Sequence, residues 1–507
     1  MPHKNFFLSP RSRSRSRSQS VNRKPTASTR SASRGRTATN NVKTAVMSPD
    51  EAYYMNTERR FTPEKDQWNG TYEFGGTLGT LGIMIFSHII IYYFYVCVAK
   101  FEGTIIYPGH AMLNGERMDK VFLGYLVETA RPTWRAFVIF WSFLLFQYIL
   151  AVILPGISVK GLPLASENGY RLTYRCNAVS AWYVLIITAC ILHYTKIFDL
   201  GELCRHYGEY LTAATVSADF ISVWVYIAGL KHQIRMTPSL IYNFFMGSAL
   251  NYRLPGDVDL KLFAECRNSW MLLMLLVVSC AIEQYNELGR ISNNMVVIFV
   301  AQLLYVNAVQ KGEECVPTTW DVFYEKFGWM LAYWNTCGVP FLYCMQALYI
   351  QKVLKGNEYS RSTVVMMLII LMVAYYVWDV VGSQKNRFRM RRSGVPMEII
   401  RRRTFPQLPW RYLENPRTLK SAKGEILIDG FYRYGRKINY TSDLVMAFLW
   451  CSSCGFKSFI PFFYFFFFLT HLIHRVARDE ARCHAKYGKL WDEYKSVVPY
   501  IFIPYVY

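Results

Sequence analysis

Long apolar runs dominate the chain. They fall near residues 78–98, 136–155, 179–198, 212–230, 269–284, 294–310, 328–350 and 363–382, with a last block over 444–473. A bilayer core takes about 20 apolar residues per helix, so each of the first eight runs is a candidate span. The last block is long enough for a tight hairpin of two, turning near Gly455 to Lys457. Only helices and closed barrels satisfy their backbone in hydrocarbon, and these runs are too long for barrel strands. The pattern predicts an all-α, polytopic membrane protein with about ten transmembrane helices over residues 66–507.

Composition agrees. Of 507 residues, 52% are hydrophobic and only 18% charged, against about a quarter charged in soluble domains. A secreted or cytosolic globular enzyme is excluded. The twelve cysteines sit mostly inside apolar runs, so no disulfide framework is expected.

Charge adds a second part. The net charge is +22, and residues 1–45 supply eleven Lys and Arg with no Asp or Glu. Four Arg-Ser dipeptides run from Arg11 to Ser18. Such a segment has too little apolar surface to offset the entropy of ordering, so residues 1–65 read as a disordered tail. Phosphate neutralisation makes chromatin or DNA its expected partner, and each phosphoserine on the Arg-Ser run would cancel Arg charge, as a switch for SR-type kinases. A solvated tail that only fixes topology is the plainer alternative. Basic residues before the first span, from Lys385 to Arg403 after the eighth, and from Arg475 to Lys495 after the tenth fall on one side when the count is even. The positive-inside rule makes that side cytosolic or nucleoplasmic.

Three polar stretches resist a lipid-facing reading. In Ser383 to Arg389, Lys385 and Arg389 are four apart and share a face on a continuing helix. There they could clamp a phosphate or simply snorkel. Gly430 to Tyr440, followed by Asp443, alternates rings, cations, an amide and a carboxylate, a mixture suited to a nucleotide. In His474 to Tyr494, the residues Arg475, Asp479, Arg482 and Cys483 form one helical stripe. Cys451-x-x-Cys454 lies in an apolar run without a second ligand pair and reads as helix packing. The chain has no Rossmann glycine motif after a strand and no P-loop, so a nucleotide would be held by other means.

The motifs also carry a resemblance. Ile241-Tyr242-Asn243-Phe244-Phe245-Met246-Gly247, Gln302-Leu303-Leu304-Tyr305-Val306, Glu313-Glu314 through Thr318-Thr319 to Asp321, Val339-Pro340-Phe341 to Gln346, and Ser383-Gln384-Lys385-Asn386 to Arg389 are similar to segments of the sterol reductases. So is the ending from His474-Arg475 through Arg478-Asp479-Glu480 to Val498-Pro499-Tyr500 and Tyr505. From Glu73 to the C-terminus the chain resembles that family: delta-14 and delta-7 reductases and the membrane half of lamin B receptor. An Arg-Ser tail on such a body resembles lamin B receptor. With only ten residues before the Arg-Ser run, a Tudor domain is not expected.

The resemblance implies NADPH bound in the part 383–507 by Lys385, Arg389, Tyr432, Arg436, Asn439, Tyr440, Asp443, Arg475, Asp479, Cys483 and Tyr487. It implies reduction of a sterol ring double bond, most simply the delta-14 bond, by protonation and hydride delivery. Tyr305 is the first catalytic candidate, Glu325 the next and Tyr494 the third. It also implies residence in the endoplasmic reticulum and inner nuclear membranes, with chromatin or lamin on the tail. Departures fall inside the motifs: Asn243 for Asp, Ser248-Ala249 for Arg-Glu, Asn268-Ser269 for Pro-Gly, Glu325-Lys326 for Asp-Gly, Arg433 for Gly and Lys437 for His. They make a catalytically degenerate tether the alternative. An isoprenylcysteine-type methyltransferase shares the terminal pocket but not the N-terminal motifs.

Overall fold

The computed structural model describes residues 67–502 apart from 108–111, 114, 165–169, 393, 396, 401–410 and 423. The tail of residues 1–65 lies outside the described residues, as does the final stretch 503–507.

Ten apolar helical segments stand where the ten runs predicted them. They are α1 (Gly76–Lys100), α2 (Trp134–Ile153), α3 (Ala178–Tyr194), α4 (Tyr207–Gly229), α5 (Leu260–Leu288), α6 (Asn293–Lys311), α7 (329–354), α8 (Arg361–Arg392), α9 (Ile438–Ser452) and α10 (Ile460–Tyr487). Among the described residues seven are individually long and apolar enough to cross a membrane: α1, α2, α4, α5, α6, α8 and α10. The other three depart for visible reasons. α3 and α9 have 17 and 15 residues, and α7 is broken by π-helical turns, one of them containing Pro340. Side-chain caps start several helices: Thr133, Asp259 and Ser292 accept the amides of Ala136, Leu262 and Met295.

The contacts at the helix ends fix the parity of crossing. Glu73 lies just before α1, and Arg478 at the polar end of α10 pairs with it at 2.8 Å. Two residues so placed meet only if the chain crosses an even number of times between them. Asp321, between α6 and α7, pairs with Arg475 of α10, and Lys326 reaches the carbonyls of Ile234 and Arg235, which follow α4. At the other ends, Ser458 after α9 donates to the carbonyl of Gly103 after α1, and Arg290 pairs with Glu358. Every one of these contacts agrees with ten crossings.

Inside the bundle, lipid supplies no hydrophobic drive, so close packing and interhelical hydrogen bonds hold the helices together. The Tyr207 hydroxyl donates to Phe341 O at 2.6 Å, Gln302 Nε2 to Tyr343 O at 2.7 Å, and Asn294 Nδ2 to Ser453 O at 2.6 Å. Four antiparallel two-stranded hairpins lie between helices among the described residues, two of them with strands of only two residues; the other two are longer. β1 (Ile157–Pro163) pairs with β2 (Arg171–Cys176), and β3 (Thr418–Ser421) with β4 (Gly424–Leu427). A last short helix, α11 (Lys489–Val497), follows α10 after Gly488.

Candidate active site

α8 and α10 both outrun their apolar sequence. α8 continues to Arg392, so Lys385 and Arg389 stand one turn apart on one helix, as their spacing predicts. α10 continues to Tyr487 and from His474 onward carries nine charged, imidazole or thiol side chains. It is the axis of the site.

Two adjoining faces of α10 do different work. On one, Arg475, Arg478 and Arg482 reach Glu73 and the loop of residues 320–325 between α6 and α7. Arg475 pairs with Asp321 at 3.3 Å. Arg478 bonds both oxygens of Glu73, at 2.8 and 2.9 Å, and Glu325 Oε1 at 3.2 Å. The Arg482 guanidinium sits 3.2 Å from the centre of the Trp320 ring. Trp320 donates to Glu325 at 2.5 Å, and burial pushes the Glu325 carboxyl above its ordinary range, opposed by Arg478. The amine of Lys261 fastens this loop by donating to the carbonyls of Asp321, Val322 and Glu325 at 3.0, 2.8 and 2.6 Å.

On the other face, Asp479 is ion-paired with Lys437, whose amine also lies 5.7 Å from the Tyr440 ring centre. Glu480 holds Arg436 at 3.2 Å and accepts from the Trp491 indole at 3.1 Å. Arg436 then donates to the carbonyls of Val498 and Pro499 at 2.8 and 3.0 Å. The chain end is clamped further by Arg436 N to Tyr500 O and Lys437 N to Ile501 O. Cys483 and Tyr487 pack with Trp491, Tyr494, Leu419 and Ile426.

Lys385 faces this second group. Its amine lies 5.7 Å from the centre of the Tyr432 ring, and Tyr432 is buried, its hydroxyl donating to Val381 O at 3.4 Å. Burial raises the Tyr432 phenol well above its ordinary value, and likewise Tyr494. Gly430 makes the approach possible: its φ is +60°, and a Cβ there would stand 2.4 Å from Gln384 Oε1. Gln384 accepts the Phe431 amide at 3.2 Å. Lys385 and Arg389 have no ion-pair partner among the described residues, and the Asn439 amide has no hydrogen-bond partner there.

Deeper in the bundle an aromatic cluster surrounds Tyr305. Trp270, Trp378 and Trp450 lie 5.0, 5.3 and 5.4 Å from its ring. Asp443 adjoins Trp378, and the tilted Tyr343 and Tyr464 rings lie 4.4 Å apart.

Most cofactor candidates therefore converge. Lys385, Tyr432, Arg436, Tyr440, Asp479, Cys483 and Tyr487 share one neighbourhood, with Arg389 and Asn439 at its edge. The stripe read as one face of α10 divides, with Arg475 and Arg482 turned to Asp321 and Trp320. Arg436, paired with Glu480, serves as a clip for the chain end rather than as a free cation. The three catalytic candidates do not form one constellation: Tyr305 lies in the aromatic cluster, Glu325 in the Arg478 network and Tyr494 in α11 beside Cys483. Sequence reading missed Lys437, Glu480, Lys261, Glu73 and Asp321 as site residues. Lys437 was visible only as a replacement of His, and Glu73 and Asp321 only as motif members.

Residues 69–507 match the Ergosterol biosynthesis ERG4/ERG24 family. A Delta(24(24(1)))-sterol reductase of Aspergillus fumigatus is 39% identical over 441 residues, covering 85% of this chain and 92% of its own. A Delta(14)-sterol reductase of Methylotuvimicrobium alcaliphilum is 30% identical over 438 residues, covering 86% and 96%. The Delta(14)-sterol reductase LBR of Gallus gallus is 32% identical over 456 residues, covering 87% and 65%. A match spanning the whole helical body shows the family: this multi-pass membrane protein belongs to the ERG4/ERG24 family, the sterol reductases of sterol biosynthesis.

Proposed function

We propose that the chain reduces a double bond in the side chain of a sterol, at position 24(24¹), with NADPH as reductant. The observation that carries the cofactor reading is the convergence of Lys385, Tyr432, Lys437 and Asp479 on the polar end of α10. The donor set fits a dinucleotide: two cations without carboxylate partners among the described residues for the diphosphate, rings for stacking, and Asn439 and Asp479 for amide and hydroxyl groups. When bound, NADPH supplies a hydride equivalent. The chain's own residues do the rest. Lys385 and Arg389 take phosphate charge, the Gly430 turn orients Tyr432, and the Lys437–Asp479 pair holds a carboxylate in place. The indoles around Tyr305 exclude water, and its phenol is the group best placed to hold the proton that reduction also requires.

The bond position departs from the delta-14 expectation because identity is higher to the Delta(24(24(1))) reductase than to the Delta(14) reductases, 39% against 30 and 32%. The motif departures at Asn243, Ser248, Glu325 and Lys437 fit a change of target bond as well as a loss of activity. Residence in the endoplasmic reticulum and inner nuclear membrane, with the basic tail cytosolic or nucleoplasmic, completes the reading. The composition of residues 1–45 supports contact with DNA, chromatin or lamin there.

The test is an assay of the purified full chain with NADPH and two sterols, one unsaturated at 24(24¹) and one at 14. A mass gain of two hydrogens on the first supports the reading. Reduction of the second alone moves the target to the ring. Binding of NADPH without any reduction establishes the degenerate tether instead.

A further inference from the structure

A polar pair stands apart from the site above. His88 is at the middle of α1 and Asp219 at the middle of α4, the depth at which hydrocarbon surrounds spanning helices. His88 Nε2 lies 3.1 Å from Asp219 Oδ2, and its Nδ1 lies 2.8 Å from Met84 O. The Trp329 indole donates to Asp219 Oδ1 at 2.8 Å. Behind the pair, Trp329 and Tyr333 of α7 stack at 4.4 Å, and the Tyr333 ring is 4.8 Å from His88.

Ionisable side chains at such depth are rare, usually face the bundle interior and mark ligand or ion paths. This pair faces outward: the His88 side chain is 32% exposed and that of Asp219 42%. Around it the surface is apolar. α1 exposes Ile85, Phe86 and Ile89, and α4 exposes Val216, Phe220 and Val223. One polar spot in an apolar belt is the complement of a lipid that is apolar except for one hydroxyl. Each Asp219 oxygen accepts one hydrogen bond from the protein and keeps acceptor capacity for another.

We propose that His88 and Asp219, braced by Trp329 and Tyr333, form a lateral, membrane-facing site for the hydroxyl group of a sterol. The choice of ligand rests on the sterol reading above. The site shares no residue with the pocket around α10. α7 joins the two, running from Trp329 to Tyr343, which packs on Trp270 and Tyr464 in the aromatic cluster.

The experiment uses the full chain in phosphatidylcholine nanodiscs and a photoreactive sterol in two forms, with a free 3-hydroxyl and as its methyl ether. The free sterol is expected to label peptides of α1 and α4 at least tenfold more than the ether. His88→Leu and Asp219→Leu are each expected to lower that labelling about tenfold while NADPH affinity is kept. Equal labelling by the ether, labelling unmoved by either substitution, or cross-linking of a second copy through α1 and α4 in place of sterol would overturn the site. If a variant does not fold, the contrast between the two sterols on the wild-type chain decides alone. Reduction of sterol is measured in parallel. Label without turnover removes the reductase reading and keeps this site; turnover without label at α1 and α4 does the reverse.

Discussion

Lys437 and Asp479 form the contact on which the proposed cofactor site most depends. Lys437 is buried and Asp479 partly so. Removing one member of such a pair leaves the other charge uncompensated, at a cost of about 3 kcal/mol. Lys437→Met is therefore expected to lower the melting temperature and to weaken NADPH binding at least tenfold, read by titration. Lys326 gives a second, pH-dependent signature. Burial, with Arg235 nearby, lowers its amine to about 7 from the ordinary 10.5. Below pH 7 the amine is charged in folded and unfolded chains alike, and the full burial penalty applies. Above it the unfolded chain holds a proton that the folded chain has released, so stability rises with pH, by up to about 1.4 kcal/mol per unit. Thermal melts at pH 7 and pH 9 should show a rise that Lys326→Met flattens; an identical slope in the variant would remove Lys326 as its source. Neither effect was legible in the sequence. Lys437 and Lys326 occur there only as substitutions within motifs, and their partners lie 42 and about 90 residues away.

The helices were legible because hydrocarbon demands them. Each apolar run became a helix within a few residues, and the spacing of Lys385 and Arg389 correctly placed both on an extended α8. What hydropathy could not mark was the polar continuation of α10, where packing against two different neighbours divides a single stripe into two working faces. The breaks in α7 were equally invisible, since π-turns depend on tertiary packing. The turn at Gly430 offers a test of how one element positions another. Gly430→Ala would force its Cβ toward Gln384 and displace Tyr432 from Lys385. NADPH affinity is expected to fall about tenfold with little change in expression; unchanged affinity would show that the Tyr432 wall is not part of the pocket.

Ten crossings were predicted from apolar length and charge, and the Glu73–Arg478 pair supports the even count independently. Reporters fused before residue 67 and after Tyr507 are expected on the same side of the membrane, by protease protection. The tail adds a separable property: deleting residues 1–45 is expected to weaken DNA or chromatin association steeply with salt, and a salt-independent loss would point to a specific protein partner. The reductase reading proposed above rests on the C-terminal part of the molecule. The proposed dinucleotide site is tested most directly by NADPH titration of the purified full chain against Arg389→Gln and Lys385→Met. Tight binding by the wild type, with a loss of at least tenfold in each variant at normal membrane expression, is the expected result. Equal affinity in all three proteins would contradict a dinucleotide site at the polar ends of α8 and α10.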